Sequence, residues 1–296
     1  MYNYDAAVSR NIGWVTRDEQ QVLRNKRIAI AGLGGVGGAH LITLARLGIS
    51  KFNISDFDTF EIHNFNRQDG AFMSTVDREK LEVSKERVLD INPEADVRSF
   101  PEGINENNID AFLEGVDLYV DSLDFFALEA RKLVFKKCEE KGIPAITAAP
   151  LGLGCAFLAF VPGSMSFENY FRFKGRSEKD QLIKFLVGLA PTMWQRHYLV
   201  DKSTTNFDAK KGPSMPMSVD LCAGIIGTNA LKILLNRGKV VKAPLGLHFD
   251  AYLNKYTTTR RWGGNNNPLQ LLSFMIAKKY CLILSLWKLQ QCGITH

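Results

Sequence analysis

Short apolar runs alternate with stretches of helical periodicity along the first half of the chain. Residues 27–33 and 51–58 are apolar runs typical of buried parallel strands. Between them, residues 38–48 carry apolar side chains at helical spacing and end on a glycine. This alternation continues to residue 149 and predicts an α/β fold: a Rossmann-like, mostly parallel sheet with helices on both faces.

The same reading assigns the remaining elements of that half. Ser74 or Thr75 is the expected N-cap of a helix that Pro93 ends. Further helices are predicted over residues 105–115 and 127–142, and further strands over residues 95–100, 116–124 and 143–149.

After residue 150 the pattern changes. Residues 155–173 are typical of antiparallel strands, so the parallel sheet is expected to be extended by antiparallel strands in the second half. Residues 219–235 form an apolar helix with small residues on one side, and residues 246–262 resemble a β-hairpin around Asn254. One large domain is therefore predicted over residues 1–262.

Residues 263–296 are predicted to be a linker followed by an apolar helical segment. Lys278 and Lys279 lie near the middle of its apolar part, residues 271–290, where each would cost about 3 kcal/mol in a bilayer. No membrane span is therefore expected. The segment is interpreted as a helix packed on the domain or on a partner, with an interfacial helix as the alternative.

Composition narrows the class without naming a function. The chain has 296 residues, 46% hydrophobic and 23% charged. Its net charge of +6 fits a nucleotide, an RNA or an acidic partner, and a solvated surface explains it equally well. The opening residues lack the pattern of a signal peptide, so a cytoplasmic location is expected. The five cysteines are far apart and form no C-x-x-C pair, which argues against a disulfide framework and a structural zinc ion: Cys138, Cys155, Cys222, Cys281 and Cys292.

Glycines at the end of the first predicted strand indicate a nucleotide site. Gly32, Gly34 and Gly37 fit the dinucleotide fingerprint, and Asp56 ends the second strand near the usual spacing for a ribose ligand. Taken alone, these residues allow an NAD-binding domain or a plain glycine turn.

The residues that follow favour a triphosphate. Asn64, Arg67 and Gln68 share one loop after Asp56, and Lys80 begins the next helical segment. A triphosphate that must lose pyrophosphate needs fixed cations and a metal ion. Arg67 and Lys80 supply the cations, and Asp124, just past a strand end, is the predicted Mg²⁺ ligand. The set suits ATP used as an adenylating agent.

Together the runs "GLGGVG", "DFDTFEIHNFNRQ", "KLEVSKERVLDINP" and "VDSLD" resemble the ThiF/MoeB/HesA superfamily, which includes the adenylation domains of ubiquitin-activating enzymes. The resemblance covers roughly residues 10–235. It implies ATP-binding glycines and an Asp56 that binds the ribose, with Asp58 supporting its loop. It also implies that Asp124 binds magnesium and that Arg10 reaches the phosphates of the partner subunit in a homodimer. The remaining implied nucleotide-binding residues are Gly32, Gly34, Gly35, Gly37, Asn64, Arg67, Gln68 and Lys80.

Two departures from the family pattern matter. The family's zinc-binding C-x-x-C pairs are absent, and residues 209–217, where some relatives carry a thioester cysteine, contain none. Cys222 is interpreted as a small core residue. Cys155 begins an apolar strand and has no basic residue nearby in the sequence that would favour its thiolate, so neither cysteine is expected to form a thioester. Phe125 replaces an amide next to Asp124, and Arg131 is displaced from the usual position of the following arginine.

The expected activity is that of an ATP-dependent adenylyltransferase, which joins a substrate carboxylate to AMP and releases pyrophosphate. Three acceptors remain open: the C-terminus of a ubiquitin-like or sulfur-carrier protein, a tRNA carboxylate of the threonylcarbamoyladenosine cyclase type, and a peptide or small molecule. An NAD-dependent oxidoreductase is the alternative from another class, and it predicts no role for Arg67 and Lys80.

Overall fold

The computed structural model describes residues 1–201, 204 and 212–279. Eight strands in these ranges form one sheet. In chain order they are β1 (Arg27–Ala31), β2 (Lys51–Ser55), β3 (Asp96–Phe100), β4 (Leu118–Asp121), β5 (Ala145–Leu151), β6 (Gly154–Phe160), β7 (Leu245–Asp250) and β8 (Lys255–Arg260). Their order across the sheet is β3-β2-β1-β4-β5-β6-β7-β8.

The sheet has a parallel half and an antiparallel half that share β5. The five strands β1 to β5 run parallel to one another, whereas β6, β7 and β8 are antiparallel to their neighbours. Thr147 of β5 lies opposite Asp121 of β4 and also opposite Leu158 of β6. Beyond Thr147, β5 continues to Leu151 and pairs with β6. The predicted fold class is confirmed.

Helices cover both faces of the sheet. They are α1 (Tyr4–Ala7), α2 (Arg17–Asn25), α3 (Gly35–Arg46), α4 (Lys80–Ile91), α5 (Ile109–Phe112), α6 (Leu128–Lys141), α7 (Phe167–Phe171), α8 (Glu178–Leu189), α9 (Pro216–Leu234) and α10 (268–279).

Alternate residues of β1 divide the core into two layers. Ile28 and Ile30 face a cluster built with α3, α4 and α9, whereas Ala29 and Ala31 face a second cluster built with α5 to α8. All four side chains are completely buried. Burial on both faces explains why the sequence of β1 is continuously apolar.

The strand order contains a reversal next to β1. The chain builds β2 and β3 on one side of β1 and then returns to place β4 and β5 on the other side. Loops that follow β1 and β4 therefore leave the sheet in opposite directions and open a crevice at its carboxyl edge, the usual ligand position in such sheets. Gly32 follows β1 and Asp124 follows β4, so both predicted site loops lie at this crevice.

The predicted start of the helix that Pro93 ends was wrong. Residues 73–75 form a short 3-10 turn, and α4 begins only at Lys80. The Thr75 hydroxyl donates to the carbonyl of Gly70 at 2.7 Å and accepts from the N–H of Phe72 at 2.9 Å. A hydroxyl used inside its own loop stabilises the turn and no longer serves as the cap of a following helix.

The antiparallel assignment of residues 155–173 was correct only for its first part. Strand β6 ends at Phe160, and residues 167–171 form α7, whose N-cap Ser166 accepts from the N–H of Asn169. The predicted hairpin around Asn254 is confirmed as β7 and β8, and Asn254 has the left-handed conformation (φ +52°) typical of a tight turn.

Helix α9 is the one helix within the described ranges that is long and apolar enough to cross a membrane. It packs on α3, β5 and β6, and its residues Cys222, Ile226 and Ala230 belong to the core. The predicted boundary between residues 262 and 263 remains a prediction. Part of the predicted terminal helix is seen as α10, and its continuation from residue 280, with Cys281 and Cys292, lies outside the described residues.

Candidate active site

The glycine turn joins β1 to α3 in a conformation that only glycines allow. Gly32 has φ +86°, and a Cβ on it would lie 2.3 Å from the carbonyl oxygen of Ser122. A Cβ on Gly37 would lie 1.8 Å from the carbonyl oxygen of Gly32. Gly34 is the N-cap of α3 and offers no side-chain acceptor, so first-turn N–H groups of α3 are available to an anion.

Asp56 holds this turn in place. Its Oδ2 accepts from the N–H of Leu33 at 2.6 Å, and its Oδ1 accepts from the N–H of Asp58 at 2.8 Å. Burial raises the pKa of Asp56, while these two N–H donors act in the opposite direction. Asp56, the residue predicted to bind the ribose, thus lies beside the glycine turn and supports its backbone. Its contact with ribose remains a prediction.

The loop that follows β2 carries three of the predicted residues, and two of them lie at the start of α3. Asn64 is buried and its Oδ1 accepts from the N–H of Glu61 at 2.9 Å, so it shapes the loop. A Cβ on Gly35 would lie 3.7 Å from Cγ of Arg67, and a Cβ on Gly34 would lie 3.7 Å from Nε2 of Gln68. Arg67 and Gln68 therefore pack against the glycine turn.

Gln68 carries an unsatisfied atom. Its side-chain oxygen Oε1 is buried and has no hydrogen-bond partner within the described part of the chain. Buried acceptors are normally paired, and an exception indicates a missing ligand or water. An amide oxygen accepts hydrogen bonds, so it suits a hydroxyl or amino group of a nucleoside and would repel a phosphate oxygen.

Lys80 is tied to the same loop through Asp58. Its Nζ lies 3.0 Å from Oδ2 of Asp58, and its backbone N–H donates to the carbonyl of Asp58 at 2.9 Å. The Lys80 side chain is 7% exposed, whereas that of Asp58 is 56% exposed. A cation buried at the first position of α4 and connected through Asp58 to Asp56 fits a phosphate-binding role, which remains a prediction.

Asp124 is exposed on the loop after β4, and its Oδ1 accepts from the N–H of Phe126 at 2.9 Å. The displaced Arg131 supports this loop from below. Its guanidinium pairs with Asp121 at 2.8 Å and donates to the carbonyl oxygens of Leu123 and Asp124 at 2.5 and 3.2 Å. Arg131 thus positions the backbone that presents Asp124. The sequence alone shows that Arg131 is displaced from the family position and does not indicate this role.

A buried pair that the sequence analysis does not predict links α3 to the loop after β4. His40 of α3 lies with Nδ1 2.9 Å from the hydroxyl oxygen of Ser122, and its Nε2 has no partner among the described residues. Burial lowers the pKa of His40 to about 3, so the ring is neutral at physiological pH. Ser122 also lies against Gly32 and two residues before Asp124, so the pair connects α3 to the loop that carries Asp124. A lone histidine in an apolar helix was the available signal.

Arg10 is the predicted residue that stays apart from the others. It lies exposed on the 3-10 turn Ser9–Asn11. No hydrogen bond or ion pair in the described ranges joins it to the crevice. Its predicted role in a neighbouring subunit concerns a second copy of the chain and remains a prediction.

Residues 8–270 match the ThiF family. The tRNA threonylcarbamoyladenosine dehydratase of Bacillus subtilis (strain 168) is 33% identical over 141 residues, 47% of this chain and 55% of the relative. The sulfur carrier protein ThiS adenylyltransferase of Escherichia coli (strain K12) is 26% identical over 148 residues, 50% of this chain and 58% of the relative. The chain thus spans about half the length of these curated relatives.

The fold agrees with this assignment. A crystal structure of E. coli MccB with ATP superposes with a TM-score of 0.60 at 22% identity, over 82% of this chain and 65% of the other. At this identity the likeness concerns the fold. With the family match covering most of the sequence, the chain belongs to the ThiF family.

Proposed function

We propose that the protein is an ATP-dependent adenylyltransferase that activates a carboxylate as an acyl-adenylate. The observation that carries the proposal is the packing of Arg67 and Gln68 against the uncapped start of α3. This arrangement combines N–H donors, a cation and an unpaired acceptor in one crevice. A helix start with a nearby cation suits phosphates, and the buried Oε1 of Gln68 suits the nucleoside attached to them.

In the proposed reaction a carboxylate oxygen attacks the α-phosphorus of ATP. The bond from that phosphorus to the bridging oxygen of the β-phosphate breaks, and pyrophosphate leaves with the electron pair. The attacking carboxylate is already ionised at neutral pH, so the protein need not supply a general base. Its residues position the reactants and stabilise the charge that develops on the phosphates, chiefly through Arg67, Lys80 and the N-terminus of α3.

Mg²⁺ fits this site as an ion held by the Asp124 carboxylate and by phosphates of the substrate. No group of three or more His, Cys, Asp or Glu side chains gathers as a metal site in the described ranges. Mg²⁺ commonly binds through one or two carboxylates together with phosphates of the substrate, and Asp124 is an exposed carboxylate at the crevice. When bound there, the ion would supply positive charge to the leaving pyrophosphate.

The deciding experiment is ATP–pyrophosphate exchange screened against carboxylates. The arms are a small carrier protein with a free C-terminal glycine, a tRNA bearing threonylcarbamoyladenosine, and short peptides. Exchange that needs one of these carboxylates supports the proposal and identifies the acceptor class. No exchange with any arm, together with tighter binding of NAD than of Mg-ATP in calorimetry, would favour the oxidoreductase alternative.

Among the acceptors, we favour the C-terminus of a small carrier protein, because the E. coli relative is an adenylyltransferase of a sulfur carrier protein. The tRNA carboxylate is the second candidate, supported by the 33% identity to the B. subtilis dehydratase. The two differ in a simple test, because RNase treatment of the substrate abolishes exchange only in the tRNA case.

We further infer a homodimer with two composite sites and a cytoplasmic location. The supporting observation for the dimer is the exposed position of Arg10, which leaves its guanidinium free to reach another subunit. In a two-fold contact the same arginine would enter both sites.

A further inference from the structure

The net charge of the protein is confined to its C-terminal part. Residues 251–296 contain no Asp or Glu, and Asp250 is the last acidic residue of the chain. The remaining 250 residues carry equal numbers of basic and acidic side chains, so the whole net charge of +6 lies after Asp250. The six cationic residues of this part are Lys255, Arg260, Arg261, Lys278, Lys279 and Lys288.

Helix α10 in this basic part packs on the domain with a polar face. Gln270 is 1% exposed, and its Nε2 donates to the carbonyl of Val187 in α8 at 2.8 Å. Two turns further along α10, Lys278 forms an ion pair of 2.8 Å with Asp180 of α8. Between them, the ring of Phe274 lies 5.7 Å from Nζ of Lys184. These contacts fix which side of α10 faces the protein.

The opposite side of α10 is apolar and faces solvent. Leu269, Leu272 and Ile276 follow at helical spacing and are 58%, 51% and 53% exposed. Met275 beside them is 59% exposed. A surface helix of a globular protein normally shows the reverse arrangement, with apolar residues inside and polar residues outside. A continuous exposed apolar strip of this kind marks an interaction surface.

The charges around the strip select the partner. Lys279 is exposed three residues after Ile276, and Arg261 donates to Gln270 at the first turn of α10. Asp180, the acidic residue paired with Lys278, has a side chain that is only 15% exposed. An apolar helix face bordered by exposed cations matches the interface of an anionic bilayer. Trp262, which is 64% exposed, adds the aromatic character typical of the headgroup region. A second copy of the chain is disfavoured, because a two-fold contact would bring two segments of equal positive charge together. Lys278 and Lys279 oppose a crossing of the bilayer.

We propose that α10, together with Arg261 and Lys279, docks the protein on the surface of an anionic membrane, with α10 lying in the plane of the interface. The apolar strip enters the boundary between headgroups and acyl chains, and the cations contact lipid phosphates. This proposal does not depend on the proposed adenylation, because α10 is not part of the crevice. It would stand whatever reaction the crevice supports.

The test is co-sedimentation of the full chain with vesicles. We expect binding to vesicles of equimolar phosphatidylcholine and phosphatidylglycerol, little binding to phosphatidylcholine alone, and release by salt, which screens the lipid charge. Leu272→Glu combined with Ile276→Glu should reduce the partition coefficient at least tenfold. Lys279→Glu should reduce it about fivefold or more, the scale for one cation near an anionic surface. Val22→Glu, at an exposed apolar position of α2, is the matched control and should bind normally.

Thermal unfolding of each variant separates lost binding from lost folding, because exposed positions should tolerate glutamate. Failure of the parent chain to bind either vesicle would overturn the proposal, as would equal binding to both. Parent protein that sediments as an oligomer without vesicle binding, and becomes monomeric in the Leu272→Glu/Ile276→Glu variant, would assign the strip to a protein interface instead.

Discussion

Arg131 and Asp121 form a buried ion pair beneath the loop that carries Asp124. The Arg131 Nε lies 2.8 Å from Oδ2 of Asp121, and the two side chains are 3% and 1% exposed. Burial of the pair is compensated by further hydrogen bonds, since the guanidinium also reaches carbonyl oxygens of the loop. Arg131 therefore connects the end of β4, the start of the loop and α6.

Arg131→Met should destabilise the protein by about 3–5 kcal/mol, because it leaves the Asp121 carboxylate buried without its partner. Urea unfolding measures the change. The double variant Arg131→Met/Asp121→Leu should recover part of the loss, since it removes both charges. A double variant as unstable as the sum of the single ones would show that the two residues act independently.

Arg67→Ala and Lys80→Ala should each lower pyrophosphate exchange about 10²-fold or more, the usual scale for a preorganised charge contact. Lys85→Ala is the matched control, because Lys85 lies on the same helix α4 without a predicted role. Near-normal exchange in both active-site variants, with folding intact, would remove the assigned phosphate contacts.

His40 should make the protein sensitive to acid. Its folded pKa is about 3 and its ordinary value is 6.5, so between these values the unfolded chain binds the additional proton. Stability is therefore fully present above pH 6.5 and falls as the pH drops toward 3, with a slope of about 1.4 kcal/mol per pH unit from this residue.

The matched variant is His40→Gln, which keeps a polar side chain that does not titrate. Urea unfolding across the same pH range should show a slope that is smaller by this amount. An unchanged slope would mean that His40 is not buried in its neutral form.

No cysteine should be needed for adenylation. Cys155 and Cys222 are buried in the core, with sulfur atoms 3.1 Å apart. Burial also raises the pKa of the Cys222 thiol, so Cys222 offers no thiolate at neutral pH. Replacement of all five cysteines by serine or alanine should preserve pyrophosphate exchange if the fold survives. A thiol-sensitive adduct with the acceptor in the parent protein, lost in one single-cysteine variant, would reveal a thioester step.

Asp124→Ala and Arg10→Ala proteins should each be inactive, and their mixture should regain part of the exchange activity. One site of a mixed dimer then has both residues, because Arg10 comes from the neighbour. Sedimentation as a monomer at micromolar concentration, or no recovery on mixing, would remove Arg10 from the site.

Local spacing was sufficient to predict the parallel half of the sheet and its glycine turn. The apolar runs of β1 and β2 and the conformational demands of Gly32 and Gly37 are properties of nearby residues. Where the prediction failed, a side chain used a contact that propensity does not encode. The Thr75 hydroxyl forms its hydrogen bond inside its own loop, so it does not cap α4. Residues 167–171 form a helix because Ser166 caps them.

The spacing of apolar and polar residues could not predict contacts between residues that are distant in the sequence. The bond between His40 and Ser122 spans 82 residues, and the lone histidine in an apolar helix does not reveal which residue is its partner. In the sequence, Arg131 is only an arginine displaced from its usual position in the family pattern. Its contacts with Asp121 and three loop carbonyls become visible only when α6 is placed beneath the carboxyl end of β4.

The sharing of β5 by both halves of the sheet has a consequence for dynamics. Large enzymes often bring their two reactants together by rotating one domain against another about a hinge. Here Thr147 is bonded into both halves, so a rotation of one half would have to break a central strand. The crevice and the antiparallel half are consequently expected to move together as one rigid unit. If the proposed adenylation requires opening and closing of the crevice, the motion is expected in the loops, on the timescale of loop motion and without a rearrangement of the sheet.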